Sequence, residues 1–178
     1  CAAVFHVSLV AVLNHPRPRC WSGREHYHNT GFRGGFMQGD SQVVEHLNRV
    51  LRNRLTASHQ YLLHAKMFAA WGLDSMHVSE YQACSEQRRF AEELIARILF
   101  LDGQPNVQDL GKLLIGDNAQ EMLDFDLKLE TMGNVDLKAS IRQSEAASDY
   151  VTRELLLNQL IAQEQRIDWL QTQLARLE

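Results

Sequence analysis

Proline and cysteine are both scarce in this chain, at three residues each out of 178. Two of the prolines, Pro16 and Pro18, fall near the start, so the rest of the sequence carries a single proline breaker, Pro105. The cysteines, Cys1, Cys20 and Cys84, are odd in number and lack both disulfide and metal-ligand spacing. That argues against a disulfide framework or a zinc knuckle and for a reducing, cytosolic setting. Nowhere does an apolar run reach the roughly 18 residues that cross a membrane, so no membrane partner is expected. Positive charge is short as well. The first 36 residues hold four of the 18 basic and one of the 22 acidic side chains, so residues 37–178 carry 14 and 21, a formal charge of −7 rather than −4. Nucleic acid, which needs a basic face, is disfavoured as a partner, and an acidic body suits a protein that gathers cations.

The opening 36 residues differ from the rest. Residues 2–13 look like the apolar core of a signal peptide, yet no basic region precedes them, His6 interrupts them and no small-x-small cleavage site follows. The Pro/Arg run at 15–19 and the Gly-rich stretch at 31–35 read as disordered linker. Residues 1–36 are therefore expected to be a disordered or extraneous extension, with Met37 as the natural start of a domain spanning 37–178.

From Met37 onward the apolar residues take helical spacing. Asp40 or Ser41 caps a first helix whose inward positions run from Val43 and Leu47 through Tyr61 and Phe68 to about Trp71. Gly72 allows a turn. A second helix spans about Ser75 to Leu101, with Tyr81, Leu94, Ile95, Ile98 and Leu99 as its apolar set, and Gly103-Gln104-Pro105 stops it. After an extended connection at 106–116, Asp117 or Asn118 caps a third helix that carries Met122, Leu123, Leu127 and Leu129 through Gly133 toward Ile141. A fourth runs from about Asp149 to Arg176 with Val151, Leu155, Leu156, Leu160, Ile167, Trp169 and Leu170. Short turns make antiparallel hairpins of the first and second pairs. The longer middle connection can run the length of the bundle, so the expected fold is all-α, a four-helix bundle with one long crossover.

One stretch carries the chemical question. In Glu86-Gln87-Arg88-Arg89-Phe90, residues 87 and 90 are three apart and project together into whatever the second helix packs against. Gln163 and Arg166 repeat that spacing on the fourth helix. Helical bundles build di-iron sites from such pairs, but there each pair is Glu-x-x-His. Neither pair reads that way here.

Longer segments settle where the pattern comes from. Met37-Gln38-Gly39-Asp40, Gln60-Tyr61-Leu62-Leu63-His64-Ala65-Lys66-Met67-Phe68, Trp71-Gly72-Leu73, Arg97-Ile98-Leu99-Phe100-Leu101, Pro105 to Leu113, Asp149 to Leu155 and Ile167-Asp168-Trp169-Leu170 together resemble bacterioferritin, over nearly all of residues 37–178. The resemblance implies a ferritin-like subunit of a hollow 24-subunit cage that stores iron as a ferric mineral. It also implies Fe(II) oxidation at a di-iron centre inside each subunit, and b-type haem between two-fold-related subunits. Of the six ligand positions it implies, only Glu130 on the third helix holds a family ligand. The others are Arg54, Gln87, Phe90, Gln163 and Arg166. Arginine and phenylalanine offer iron no lone pair, and glutamine offers only a neutral carbonyl oxygen. Glu86 and Glu164 are one residue off, about 100° away around the helix. The position of the haem-ligating methionine is Arg88, so bis-methionine haem is not expected in a homodimer of this chain. Glu130 is expected between Arg54 and Arg166 in an ion-pair network that plugs the site.

The resemblance therefore implies a cage subunit without its own oxidation centre, in a homo-oligomer or alongside an active, haem-binding partner subunit. The alternatives are a ferroxidase with a rearranged site and a helical interaction protein that forms no cage. Other candidates read more plainly. Met67 and Cys84 suit packing; His59 and His64 suit a surface or interface; His77 with Glu80 at i+3 suits a solvated ion pair. Asp102 and Asp168 match acidic positions near a pore through which iron passes in the family's cage, and equally suit exposed surface. The sequence ends at Glu178, short of the fifth helix that lines the family's four-fold channel.

Overall fold

The computed structural model describes residues 38–177; the extension at 1–36 and the expected start at Met37 lie outside the described residues. Four helices fill the described chain: α1 (Ser41–Ala70), α2 (Asp74–Phe100), α3 (Ala119–Ala146) and α4 (Tyr150–Leu174). Asp40 opens α1 by accepting from the Gln42 and Val43 amides, Asn118 opens α3 by accepting from Glu121, and Asp149 opens α4 by accepting from Thr152. Each cap satisfies amides that a helix start leaves without partners.

Three of the helices end alike. At the C-terminus of α1, Gly72 has φ 74°, while its amide and that of Leu73 turn back to Ala69 and Phe68 carbonyls. Asp102 (φ 59°) after α2 and Ser148 (φ 56°) after α3 make the same paired bonds. This left-handed cap reverses the chain within a few residues, and it is why both hairpin turns are short.

Side-chain pairs fix the directions. Arg54 meets Gln87 and His77 meets the Ala65 carbonyl, so α1 and α2 are antiparallel. Asn53 meets Asp136 and Gln60 meets Asp126, so α1 and α3 are antiparallel too. It follows that α2 and α3 run the same way and the connection between them must travel the bundle. One stripe of α1 holds that crossover in place. Asn48 binds the Gln104 carbonyl and the Asn106 amide, Arg52 pairs with Asp109, Thr56 Oγ1 accepts from the Gly111 amide and Gln60 Oε1 accepts from Leu114. These four positions are spaced by four along about 18 Å of helix.

The expected all-α bundle with its crossover is the observed one, and Leu47, Leu51, Phe68, Leu94, Ile98, Met122, Leu123, Leu156 and Leu170 are buried as their spacing requires. Four assignments to the core fail. Leu62, Tyr81, Leu99 and Val151, all at apolar helical spacing, are 36%, 47%, 52% and 64% exposed. The helices carry apolar side chains on outer faces as well, so spacing alone does not separate the two faces.

Candidate functional site

Ten of the buried apolar residues, from Val43 and Leu47 to Leu156, form one cluster at one end of the bundle. Next to it, at the level of Arg54, the core turns polar. Glu130 of α3 is 2% exposed and sits at the centre. Its Oε1 accepts from the Tyr61 hydroxyl at 2.6 Å and from Gln87 Nε2 at 3.0 Å. Its Oε2 accepts from Gln163 Nε2 at 2.7 Å, and the same amide reaches the Glu130 carbonyl at 3.1 Å. Gly133, one turn further along α3, makes room: a Cβ there would stand 3.2 Å from Gln163 Nε2.

Arg54 occupies the edge of this layer. Its guanidinium donates to Gln159 Oε1 at 3.2 Å and Gln87 Oε1 at 3.1 Å, and lies 5.1 Å from the centroid of the Phe90 ring. Burial lowers its pKa, with the charge of Glu130 only partly opposing that effect. Gln87 thus relays between Arg54 and Glu130, taking a bond on its oxygen and giving one from its nitrogen.

The expected ion-pair plug is not what forms. Glu130 touches neither arginine; a phenol and two neutral amides surround its carboxylate instead. Arg166 points one layer away, where Nη2 donates to Glu80 Oε1 at 2.6 Å and Nη1 to Ser79 Oγ at 3.2 Å. It also lies over the rings of Tyr61 and Trp169, at 4.9 and 4.4 Å. Although burial opposes it, the neighbouring Tyr61 and Glu80 hold the Arg166 pKa above the ordinary arginine value. Burial first, then Glu130, pushes the Tyr61 hydroxyl well above the ordinary phenol range. The physical reason for the rearrangement is length. The long arginine side chain carries its charge past Glu130 to the next buried acid, Glu80.

Two histidine readings are also overturned. His64 is fully buried and its Nδ1 lies 3.0 Å from Asp126 Oδ2 on α3, a partner too distant in sequence for any i±4 search to find. Glu80 is not solvated beside His77 but fully buried against Arg166, while His77 Nδ1 contacts the Ala65 carbonyl. Cys84 is buried, Met67 half-buried, and Arg88, Asp102 and Asp168 exposed. Asp102 owes its conformation to capping α2. His59 is exposed with Nδ1 on its own helix, 2.6 Å from the Leu55 carbonyl. Glu86 and Glu164 turn outward to Arg89 and Lys138. Gln60, Glu80, Asp126 and Gln159 were missed as site residues, though Asp126 and Glu130 at i, i+4 within an apolar stripe are a signal that could have found them.

A family profile described as "Ferritin-like domain" matches residues 44–178. The bacterioferritin of Brucella melitensis biotype 1 is 37% identical over 142 residues, covering 78% of this chain and 86% of that protein. The bacterioferritin of Mycobacterium leprae is 39% identical over 78% of this chain and 87% of its own length; a bacterial ferritin of Neisseria meningitidis serogroup B is 35% identical over 80% and 92%. The chain belongs to the bacterioferritin family. The four-helix fold is the one that this family profile describes. Among the described residues no three His, Cys, Asp or Glu side chains are grouped to hold a metal ion, and no helix is long and apolar enough to cross a membrane. The residues around Glu130 do not fit a di-iron centre. The two amides present their nitrogens to the carboxylate, and Arg54 brings positive charge where iron would bring more. Nor does Arg88 fit a haem ligand, because a guanidinium has no lone pair to give.

Proposed function

We propose that this chain is an iron-storage subunit of a bacterioferritin-like cage that lacks its own ferroxidase centre and bis-methionine haem site. The observation that carries the reading is the occupation of both Glu130 oxygens by Tyr61, Gln87 and Gln163. Iron is cargo for such a subunit, and the oxidising step belongs to other subunits of a mixed 24-subunit assembly in the cytoplasm. Assembly is supported by exposed apolar side chains on the outer faces of the helices, among them Leu62, Tyr81, Leu99, Val135 and Val151. Side chains of this size gain free energy when a neighbouring subunit covers them.

Native mass measurement and stopped-flow Fe(II) oxidation test the reading together. A cage-sized particle with no saturable fast phase is the expected result. Fast oxidation saturating at about two irons per subunit, the di-iron stoichiometry, would sink it in favour of a rearranged ferroxidase. A monomer or dimer would point instead to a helical interaction protein. The combined substitutions Arg54→Glu, Gln87→Glu, Phe90→His, Gln163→Glu and Arg166→His are expected to create iron binding, read as bound iron per subunit.

A further inference from the structure

Residues 104–116, which carry the chain from α2 to α3, form neither helix nor strand. Among the described residues, no backbone-to-backbone hydrogen bond involves them. Their bonds to the helices all come from α1: Asn48 meets the Gln104 carbonyl and the Asn106 amide, and Arg52 meets Asp109. Further along, Thr56 Oγ1 accepts from the Gly111 amide at 2.8 Å and Gln60 Oε1 from the Leu114 amide at 2.9 Å. Apolar packing adds little to these clasps, because none of the segment's apolar side chains is buried. Val107, Leu110 and Ile115 are about half exposed. Beside its first half lies a polar cavity of about 490 Å³, with Asn48, Arg52, Asn106 and Asp109 in its wall. Segments with few buried apolar contacts and exposed hydrogen bonds open at a fraction of the free energy that unfolds the core.

Behind the last clasp stands a chain of polar groups that solvent does not reach. Gln60, His64 and Asp126 are all fully buried. While the Gln60 oxygen takes the Leu114 amide, its Nε2 donates to Asp126 Oδ1 at 2.8 Å, and Asp126 Oδ2 faces His64 Nδ1 at 3.0 Å. Gln60 thus bonds to the crossover with one end of its amide and to the buried pair with the other. His64 is the next position, four residues on, in the α1 row that supplies the clasps, and its Nε2 has no partner. We propose that the crossover is a strap that lifts off α1 while the four helices stay folded, and that its opening admits solvent and small solutes to the Asp126–His64 pair. Lifting costs little, because water replaces each bond that the strap gives up. Once Leu114 has left, the Gln60 amide turns to water and its cover over Asp126 is gone. The orphan His64 nitrogen favours the open form as well, since water satisfies a polar atom that the closed form leaves unpaired.

Two rates measured on the full chain test this: hydrogen exchange at the Gly111 and Leu114 amides, and acylation of His64 by diethyl pyrocarbonate, which needs an accessible imidazole nitrogen. The exposed His59 supplies the reference rate for the reagent. Thr56→Val keeps the side-chain shape and leaves the Gly111 amide of the closed strap without its acceptor. Both rates are expected to rise about tenfold, the cost of one buried donor left unpaired. Leu94→Ala acts in the apolar cluster, which carries none of the clasps, and is expected to leave both rates as they were. If Leu94→Ala instead raises them about a hundredfold, the effect of a core cavity on unfolding, the pair is reached only when the helices come apart and the proposal fails. Unchanged amide exchange in Thr56→Val would show that α1 does not hold the strap. Amides that quicken while His64 keeps its rate would show that the strap does not cover the pair, which overturns the proposal equally.

Discussion

Around Leu47, Leu51, Leu94, Ile98 and Leu156 the four helices meet through side chains with no polar atoms. A turn or two away the same helices meet through Arg54, Gln87, Glu130 and Gln163, then through His64, Glu80, Asp126 and Arg166. The first region is held by area removed from water, and hydrophobic groups of similar volume can replace one another there. The second is held by directed bonds in a medium of low dielectric constant, where each group is costly unless its partner is present. The bundle thus tolerates change of opposite kinds at its two ends: loss of shape hurts one, loss of a single partner hurts the other.

The sharpest way to break that contrast is Arg166→Met. It leaves Glu80 buried and unpaired, and chemical denaturation is expected to register a loss of about 3–5 kcal/mol. The double change Arg166→Met with Glu80→Leu is expected to recover most of it, since an apolar pair of similar volume is often neutral. A cost for the single change below about 1 kcal/mol, the range of an exposed pair, would mean this region is not governed by pairing.

In the apolar region, Leu94→Ala is expected to cost about 3 kcal/mol through lost burial and the cavity left behind. Leu94→Met, similar in volume, is expected to cost less than about 1.5 kcal/mol. Equal losses for the two would show that volume is not what matters there. A smaller effect belongs to Tyr61→Phe, which removes the hydroxyl from Glu130 and its longer contact, at 3.5 Å, with Arg166 Nε. About 2 kcal/mol is expected, the range for a bond to a charged group, and because Gln87 still serves the same oxygen a loss above that would indicate that the layer acts as a unit.

The sequence made the helices, their caps and the crossover legible, because each depends on neighbours within a few residues. Asp40, Asn118 and Asp149 act on amides at most three residues away. The positions around Glu130 were legible too, through the i, i+3 pairs on α2 and α4. Their bonding was not. Whether Arg166 meets Glu130 or Glu80 turns on the reach of a long side chain across a gap between helices, and nothing local records that distance. His64 shows the same limit. Its partner lies 62 positions away, so a search along one helix returns a surface histidine where the fold holds a buried one. Leu62, Tyr81, Leu99 and Val151 fail for a related reason, since apolar side chains on an outer face look the same in sequence as those that fill the core.

By itself, then, the sequence determined four amphipathic helices and the family they belong to, because periodicity, capping and side-chain chemistry are properties of residues and their near neighbours. Tertiary structure decided which buried charge pairs with which: Glu130 with a phenol and two amides, Arg166 with Glu80, His64 with Asp126. Electrostatic pairing in a dry core depends on distances of a few ångströms between different helices, and those distances exist only once the helices have packed.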